Sequence, residues 1–224
     1  MYLLDIDVDF LVTYVPQLKR TGEHELEQLD KSSHVWLSPE NLVMTLKEKG
    51  FDFRKTKAFS FDNHKESFQT WQQYCQPADI PACLIHIDNH HDLYDCQHYN
   101  LRKMTERKLG CANYLWYALM YDYLSEIIWV VPSLDQVVHN SGQLNFIHNF
   151  HDLQDKNHEA QGRLIFKNYH GEPREIPLII CELQQLPVKN RPVPIATIAQ
   201  SRGYTPPKTF SYAHYLARLI NDSS

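Results

Sequence analysis

The sequence lacks several features that identify common classes of protein. No run of Lys and Arg stands out, and 22 basic against 27 acidic residues leave a net charge of −5, so nucleic-acid binding has little electrostatic support. No C-x-x-C pair occurs, which predicts free thiols rather than disulfides or a zinc knuckle. No G-x-S-x-G motif is present, so nothing indicates a serine nucleophile. The five cysteines are Cys75, Cys83, Cys96, Cys111 and Cys181.

The sequence also lacks a recognisable signal peptide or transmembrane segment, because acidic residues interrupt its first apolar stretch. We therefore expect a cytoplasmic protein without a membrane partner. The 224 residues, of which 43% are hydrophobic and 22% charged, show no internal repeat and predict one globular domain over residues 1–224.

Apolar segments alternate with amphipathic ones over the first 130 residues, which predicts an α/β domain with a largely parallel sheet. Ligands bind beyond the carboxyl ends of the strands in such sheets. The predicted strands are residues 2–10, 57–61, 82–87, 127–131, 178–181 and 195–199. The predicted helices are residues 39–49, which follow the N-cap Ser38 and end before Gly50, and residues 66–74, 109–124 and 211–220. Residues 16–34 and 133–176 are predicted to be irregular, apart from an extended piece at 163–169.

The most informative segment is His86-Ile87-Asp88-Asn89-His90-His91-Asp92, which follows the apolar run 82–85. In an extended chain Asp88, His90 and Asp92 share one side of the pleat, and three such side chains at a strand end are typical of a metal site. Since neither this segment nor the N-terminal one offers a thiolate, hard or borderline ions are favoured over soft ones, which leaves manganese, magnesium, iron and zinc as candidates.

The N-terminal segment Leu4-Asp5-Ile6-Asp7-Val8-Asp9-Phe10 places its three aspartates on one face of a predicted strand. If these carboxylates converge on the first segment, two of them about 4 Å apart repel by roughly 4 kcal/mol at an effective dielectric near 20. We therefore expect a cation among them. The alternative interpretation is an edge strand whose acidic face lies in water.

Three motifs resemble those of the arginase/ureohydrolase superfamily. Asp88-Asn89-His90-His91-Asp92 is similar to its D-A-H-x-D motif, Asp62-Asn63-His64 resembles a degenerate G-G-D-H-S segment, and Asp5-Ile6-Asp7-Val8-Asp9 resembles S-x-D-x-D with Asp5 in place of the serine. The third motif comes first in this chain, as a circular permutation would place it. This order resembles a divergent arginase-like branch that includes the peptide arginases of ribosomal-peptide (proteusin-type) biosynthesis.

The resemblance implies a three-layer arginase/deacetylase-like α/β fold that holds two Mn²⁺ ions. Asp7 and Asp88 are implied to bridge the ions. The implied remaining ligands are His64 and Asp92 on one ion and His90 and Asp9 on the other. The resemblance further implies that the ions activate a water molecule for attack on the guanidinium carbon of an arginine within a precursor peptide, which gives ornithine and urea.

The remaining chemical roles have several candidates. The leaving amine needs a proton donor, for which His91 and His86 are candidates, although each has a structural alternative. Asp5 is a candidate for contacting the guanidinium or for orienting a ligand, so His91 and Asp5 are our candidate catalytic residues. Glu182 and residues 200–207 are candidates for the substrate entrance. The aromatic residues between 114 and 123 are predicted to pack rather than to bind a ligand.

Three alternatives to a peptide arginase stay open. A small-molecule guanidine ureohydrolase would use the same ligands, whereas the polar segments 16–34 and 133–176 favour a peptide-binding surface. A zinc-dependent deacetylase-like amidohydrolase would leave His64 and Asp9 without a metal ion. A binding module with a vestigial site is disfavoured, because all six ligand positions carry suitable residue types.

Overall fold

The computed structural model describes residues 1–12, 33–94, 109–140, 143–147, 150–156, 159–187, 189–200 and 205–223. The strands are β1 (Tyr2–Asp7), β2 (Phe51–Asp52), β3 (Lys57–Phe61), β4 (Ala82–Ile87), β5 (Leu124–Val131), β6 (Phe150–Lys156), β7 (Glu159–Lys167), β8 (Pro173–Glu182), β9 (Arg191–Pro192) and β10 (Ile195–Ala199). The α-helices are α1 (Pro39–Glu48), α2 (Lys65–Tyr74), α3 (Tyr114–Met120) and α4 (Tyr212–Asn221). Short 3₁₀ turns at Val8–Leu11, Pro77–Asp79, Gln143–Phe146 and Pro207–Thr209 and a π-turn at Gln136–Asn140 connect them.

Eight strands form the central sheet in the order β3-β10-β1-β4-β5-β8-β7-β6. The strands from β3 to β8 in this order pair in parallel, whereas β7 and β6 extend the sheet in antiparallel fashion. Strands β2 and β9 pair separately. The prediction of an α/β fold with a mostly parallel sheet is confirmed.

Helices cover both faces of the sheet, which gives three layers. Because side chains alternate along a strand, Leu3 of β1 joins a core with α2 and α3, whereas Leu4 joins a second core with α1 and α4. Trp71 of α2 and Leu216 of α4 are completely buried in these two cores. No helix in the described ranges combines the length and apolar character needed to cross a membrane.

Helix α1 begins at the predicted residue and ends one residue before the predicted end, at Glu48. The side chain of Ser38 accepts a hydrogen bond from the backbone N–H of Asn41, and Pro39 occupies the first turn. At the other end Gly50 has φ +88°, and a Cβ there would lie 2.3 Å from the carbonyl oxygen of Lys189. Only glycine fits this position.

Three predicted segments differ from the structure. Strand β1 ends at Asp7, and the following residues form a 3₁₀ turn in which Asp7 accepts a hydrogen bond from the N–H of Asp9. The helix predicted at 109–124 covers only Tyr114–Met120. The prediction that 133–176 is mainly irregular was wrong, because β6, β7 and the start of β8 lie there. Most of the predicted surface segment 16–34 lies outside the described residues.

Candidate metal centre

A row of polar residues crosses the middle of an otherwise apolar sheet. The parallel register pairs Asp5 of β1 with Thr197 of β10 on one side and with His86 of β4 on the other. All three side chains are completely buried. Because Asp5 alternates with Leu4 and Ile6, its side chain lies on the face covered by α2 and α3. Beyond this row, at the carboxyl ends of β1 and β4, the chain continues into the two acidic segments.

His64, at the start of α2, faces four carboxylates. Its Nε2 lies 2.8 Å from Oδ2 of Asp5. Its Nδ1 lies 3.0 Å from Oδ2 of Asp92, 3.3 Å from Oδ2 of Asp7 and 3.4 Å from Oδ2 of Asp88. The His64 side chain is 1% exposed, yet Nδ1 makes no hydrogen bond to any described residue. We refer to His64, Asp7, Asp88 and Asp92 as the inner group.

The spacing of the inner group fits a shared cation. Donor atoms about 2.1 Å from one ion lie about 3.0 Å apart in octahedral geometry and about 3.4 Å apart in tetrahedral geometry. The distances from Nδ1 of His64 to the three carboxylate oxygens span the same interval, 3.0–3.4 Å. A buried nitrogen without a hydrogen bond, ringed by carboxylate oxygens, has the surroundings of a metal ligand.

A second group lies beside the first and is more open to solvent. Nδ1 of His90 is 3.0 Å from Oδ2 of Asp9 and 3.5 Å from Oδ1 of Asp88, and the His90 side chain is 35% exposed. Asp9, Asp88 and His90 therefore bring three ligand atoms together. We refer to these three residues as the outer group.

Asp88 belongs to both groups. Its Oδ2 faces Nδ1 of His64, whereas its Oδ1 faces the ring of His90 and accepts a hydrogen bond of 2.8 Å from the backbone N–H of the same residue. This is the arrangement that a bridging carboxylate requires. Asp7 directs Oδ2 to His64 and accepts the N–H of Asp9 at Oδ1, so its own bridging role stays a prediction.

The segment after β4 is fixed from several sides. Asp92 adopts φ 47°, a left-handed conformation that aspartate tolerates better than most residues, and this turn brings its carboxylate to His64. Nε1 of Trp129 donates to the carbonyl of Asp88 across 3.0 Å. The side chain of Asn89 donates to the carbonyl of Asp9 across 2.8 Å, which joins the segments that follow β4 and β1.

Burial and crowding change the acidity of these groups in the metal-free protein. Burial, followed by the negative charges of Asp9, Asp92 and Asp7, raises the pKa of Asp88 well above its ordinary value. Burial opposes charging of His64, but the charge of Asp5 and its hydrogen bond outweigh this and raise the pKa of His64 well above normal. Protons thus supply the positive charge that the carboxylates need when no metal is bound.

Asp5 lies beneath the inner group and is saturated by donors. In addition to His64, its Oδ2 faces Nδ1 of His86 at 3.2 Å and accepts the hydroxyl of Tyr114, and its Oδ1 accepts the hydroxyl of Thr197 at 2.6 Å. Burial alone would raise the pKa of Asp5, but the charge of His64 and the hydrogen bonds from both histidines lower it. These contacts favour the predicted role of orienting a ligand over contact with a substrate.

Tyr114 and Thr197 both bind Asp5, and sequence reasoning missed both. We predicted that the aromatic residues of this helix pack, and Tyr114 is indeed completely buried, but its hydroxyl reaches Asp5 and lies 3.1 Å from Nε2 of His64. Burial and the negative charge of Asp5 raise the pKa of the Tyr114 phenol well above its ordinary value, so it stays protonated. Nothing in the local sequence distinguishes it from the neighbouring aromatic residues.

His91 occupies a different environment from the ligand candidates. It is buried, its Nδ1 accepts the N–H of Leu93 at 2.9 Å, and its ring packs against Tyr94 and the edge of Trp129. Burial and the nearby charge of His90 lower the pKa of His91 to about 3. A neutral imidazole with an occupied Nδ1 favours a structural role over that of a proton donor near neutral pH.

The remaining candidates have other partners. His86 is buried within the centre, where its Nδ1 faces Asp5 and its Nε2 faces the carbonyl of His90 and, at 3.5 Å, Oδ2 of Asp88. These contacts favour its structural alternative. Glu182 accepts the N–H of Leu134 at 2.9 Å, and 201–204 of the predicted entrance lie outside the described residues. Burial, followed by the charge of Asp92, raises the pKa of the Cys111 thiol, which leaves Cys111 a poor soft ligand.

Comparison of the chain with protein-family models, with curated proteins and with solved structures finds no match. The buried aspartates and histidines described above are able to hold a metal ion.

Proposed function

We propose that this protein is a manganese-dependent hydrolase with two metal ions, which converts arginine side chains of a ribosomally made precursor peptide to ornithine and releases urea. The observation that carries the proposal is the position of Asp88 between two groups of ligand atoms, the inner one around His64 and the outer one around His90. A single carboxylate that faces two groups of donors is what a binuclear site needs.

Charge balance supports two ions rather than one. Asp7, Asp9, Asp88 and Asp92 carry four negative charges when ionised, and histidine ligands are neutral. Two divalent cations neutralise this set, whereas one cation would leave two negative charges uncompensated. Such charge is costly here, because the carboxylates of the inner group are at most 8% exposed to solvent. Carboxylate and imidazole donors without a thiolate suit manganese.

A pair of divalent ions would lower the pKa of a water molecule and stabilise negative charge that develops on the substrate. The chain's own residues perform the remaining tasks. The inner group excludes solvent, since His64 is only 1% exposed, whereas the outer group is reached from solvent beside His90. The substrate therefore enters from the side of His90, and Asp5 holds His64 in place from behind.

The choice of peptidyl arginine is supported by the resemblance of the three metal motifs to those of arginases. The reaction balances as a hydrolysis, because the guanidinium and one water molecule give a primary ammonium group and urea. The partial exposure of His90, 35% of its side chain, supports a peptide substrate, because an arginine side chain of a larger molecule reaches the outer group from solvent.

The test is incubation of the manganese-loaded protein with arginine-containing peptides, followed by mass spectrometry and a urea assay. We expect each modified arginine to lose one cyanamide unit (CH₂N₂), with one urea released per loss. The matched control is Asp88→Asn, which keeps the shape of the shared ligand but removes its charge and should show neither change.

The same experiment separates the alternatives. Urea from free arginine or other small guanidines, without a mass change in any peptide, would assign a small-molecule ureohydrolase. Hydrolysis of acetylated lysine by protein that contains one zinc ion per chain would assign a deacetylase-like enzyme. Bound manganese without hydrolysis of any guanidine or amide would contradict the proposal.

A further inference from the structure

We infer that Tyr114 is a positioning residue that acts through Asp5 to fix the orientation and tautomer of His64, and so sets the metal affinity of the inner group without setting that of the outer group. The inference rests on the proposed metal centre. Tyr114 would touch neither the ions nor the substrate.

The hydrogen-bond pattern around Nε2 of His64 determines the tautomer. The Tyr114 hydroxyl donates its only proton to Oδ2 of Asp5, so the phenol oxygen presents lone pairs to Nε2 of His64, 3.1 Å away. Asp5 is also an acceptor, 2.8 Å from the same nitrogen. Because both neighbours of Nε2 accept, Nε2 carries the proton, and the lone pair of the neutral ring lies on Nδ1, which faces the carboxylates of the inner group.

The hydroxyl of Tyr114 can be separated from its ring. The ring packs against His64, with centroids 4.7 Å apart, and against Trp71, at 6.0 Å. Phenylalanine retains both contacts, so Tyr114→Phe removes only the hydrogen bonds. Asp5 then keeps His64, His86 and Thr197 as partners.

The effect should be confined to the inner group. Tyr114 contacts His64 of the inner group directly. It also lies 3.4 Å from Nδ1 of His86, whose Nε2 faces Oδ2 of the shared Asp88 at 3.5 Å and the carbonyl of His90 at 3.1 Å. The contact of His86 with His90 involves only the backbone of His90. The ligand atom of His90, Nδ1, faces Asp9. A residue that merely supported the fold would weaken both groups together.

The experiment is a calorimetric titration of Mn²⁺ into metal-free wild-type protein, Tyr114→Phe and the control Tyr121→Phe. Tyr121 follows the same helix but is 42% exposed and stacks on Tyr169 at the surface. We expect Tyr114→Phe to weaken one of two binding steps roughly 10- to 100-fold, as loss of a group that orients a metal ligand typically does. The other step should stay within about twofold of the wild-type value, and Tyr121→Phe should match the wild type in both.

Equal binding by Tyr114→Phe and the wild type would overturn the inference and leave the proposed function intact. Parallel weakening of both steps, with a lowered melting temperature, would assign Tyr114 to the fold alone and also overturn the inference. If wild-type protein takes up no manganese, the proposed function itself fails, together with the inference that rests on it. If Tyr114→Phe does not fold, Thr197→Val replaces it in the titration, because this change removes a different hydrogen-bond donor from Asp5. Thr197→Val should weaken the same single binding step, and an unchanged titration would overturn the inference.

Discussion

Nε2 of His64 lies 2.8 Å from Oδ2 of Asp5, and this contact leaves Nδ1 of the buried imidazole facing Asp7, Asp88 and Asp92. Asp5 itself is completely buried and is held by donors from three other side chains. A carboxylate behind a histidine is a common means of orienting a metal ligand and increasing its basicity. Asp5, which is completely buried, is therefore positioned to orient His64 toward the other carboxylates.

Replacement of Asp5 by asparagine should weaken manganese binding while preserving secondary structure. The amide keeps the shape but loses the charge that makes Asp5 a strong acceptor for both histidines, so we expect roughly a 10- to 100-fold loss of affinity. Calorimetry measures the manganese affinity, and circular dichroism measures the secondary structure. The control is Asp52→Asn, which removes a surface contact with Arg54. An Asp5→Asn protein that binds manganese as tightly as the wild type would contradict the orienting role.

His90→Ala should reduce the manganese content from two ions to one per chain. His90 supplies a ligand atom only to the outer group, whereas the inner group keeps all of its members. Asp88→Ala should lose both ions because Asp88 faces both groups. Native mass spectrometry counts the ions directly, with the exposed His170→Ala as the control. Two ions retained by His90→Ala would exclude the proposed outer ligand.

The metal-free protein should become less stable as the pH rises above about 6.5, the ordinary pKa of histidine. Burial opposes the charging of His64 and His90, but neighbouring carboxylates outweigh it and raise both pKa values well above normal, so the folded state binds more protons than the unfolded state. Stability from these groups is complete below about pH 6.5 and is lost as the pH rises through their raised values.

Manganese should reverse this dependence, because the metal replaces the protons and binds more tightly as they leave. Thermal unfolding between about pH 6 and about pH 8, with chelator or with excess Mn²⁺, measures both trends. The difference between the two melting temperatures should widen with pH. A melting temperature of the chelated protein that rises over this interval would show that the inner group does not retain protons.

Asn221→Ala should destabilise the edge strand β3 without changing metal binding. The N–H of Ala58 in β3 donates to Oδ1 of Asn221 at 2.9 Å, and Nδ2 of Asn221 donates to the carbonyl of Ala58 at 3.2 Å. The side-chain amide thus pairs with the edge strand as a neighbouring strand would. We expect a loss of about 1–2 kcal/mol in the free energy of unfolding and more self-association. Urea unfolding measures the free energy, and light scattering measures self-association, with Asn41→Ala as the control. An Asn221→Ala protein with wild-type values in both measurements would contradict the prediction.

The fold was most predictable where strands are buried on both faces. Strand β4 has the predicted bounds Ala82–Ile87, because a central parallel strand appears in the sequence as an apolar run. Strand β6 was missed, since a partly exposed edge strand such as Phe-His-Asp-Leu-Gln-Asp-Lys has the composition of a loop. The 3₁₀ turn after Asp7 was also missed, because alternation of apolar and acidic residues continues through it.

The centre was predictable only where its residues are close in sequence or belong to a recognisable motif. Asp88, His90 and Asp92 lie within five residues, and the structure brings them together with His64 and Asp9. Strand β4 ends at Ile87 and Asp92 adopts φ 47°, so a turn rather than one extended face brings these side chains together. The contact between Tyr114 and Asp5 joins residues 109 positions apart. No local pattern carries such information, because helix α3 positions the hydroxyl through packing that involves Trp71 and His64.

The measurement that tests the central claim most directly is anomalous X-ray diffraction at the manganese edge, from crystals of the protein grown with Mn²⁺. We predict two peaks, one among His64, Asp7, Asp88 and Asp92 and the other among Asp9, Asp88 and His90. Asp88 should lie between them. A map with no peak at these residues, or with a single peak that leaves His90 and Asp9 without a metal ion, would contradict the binuclear centre.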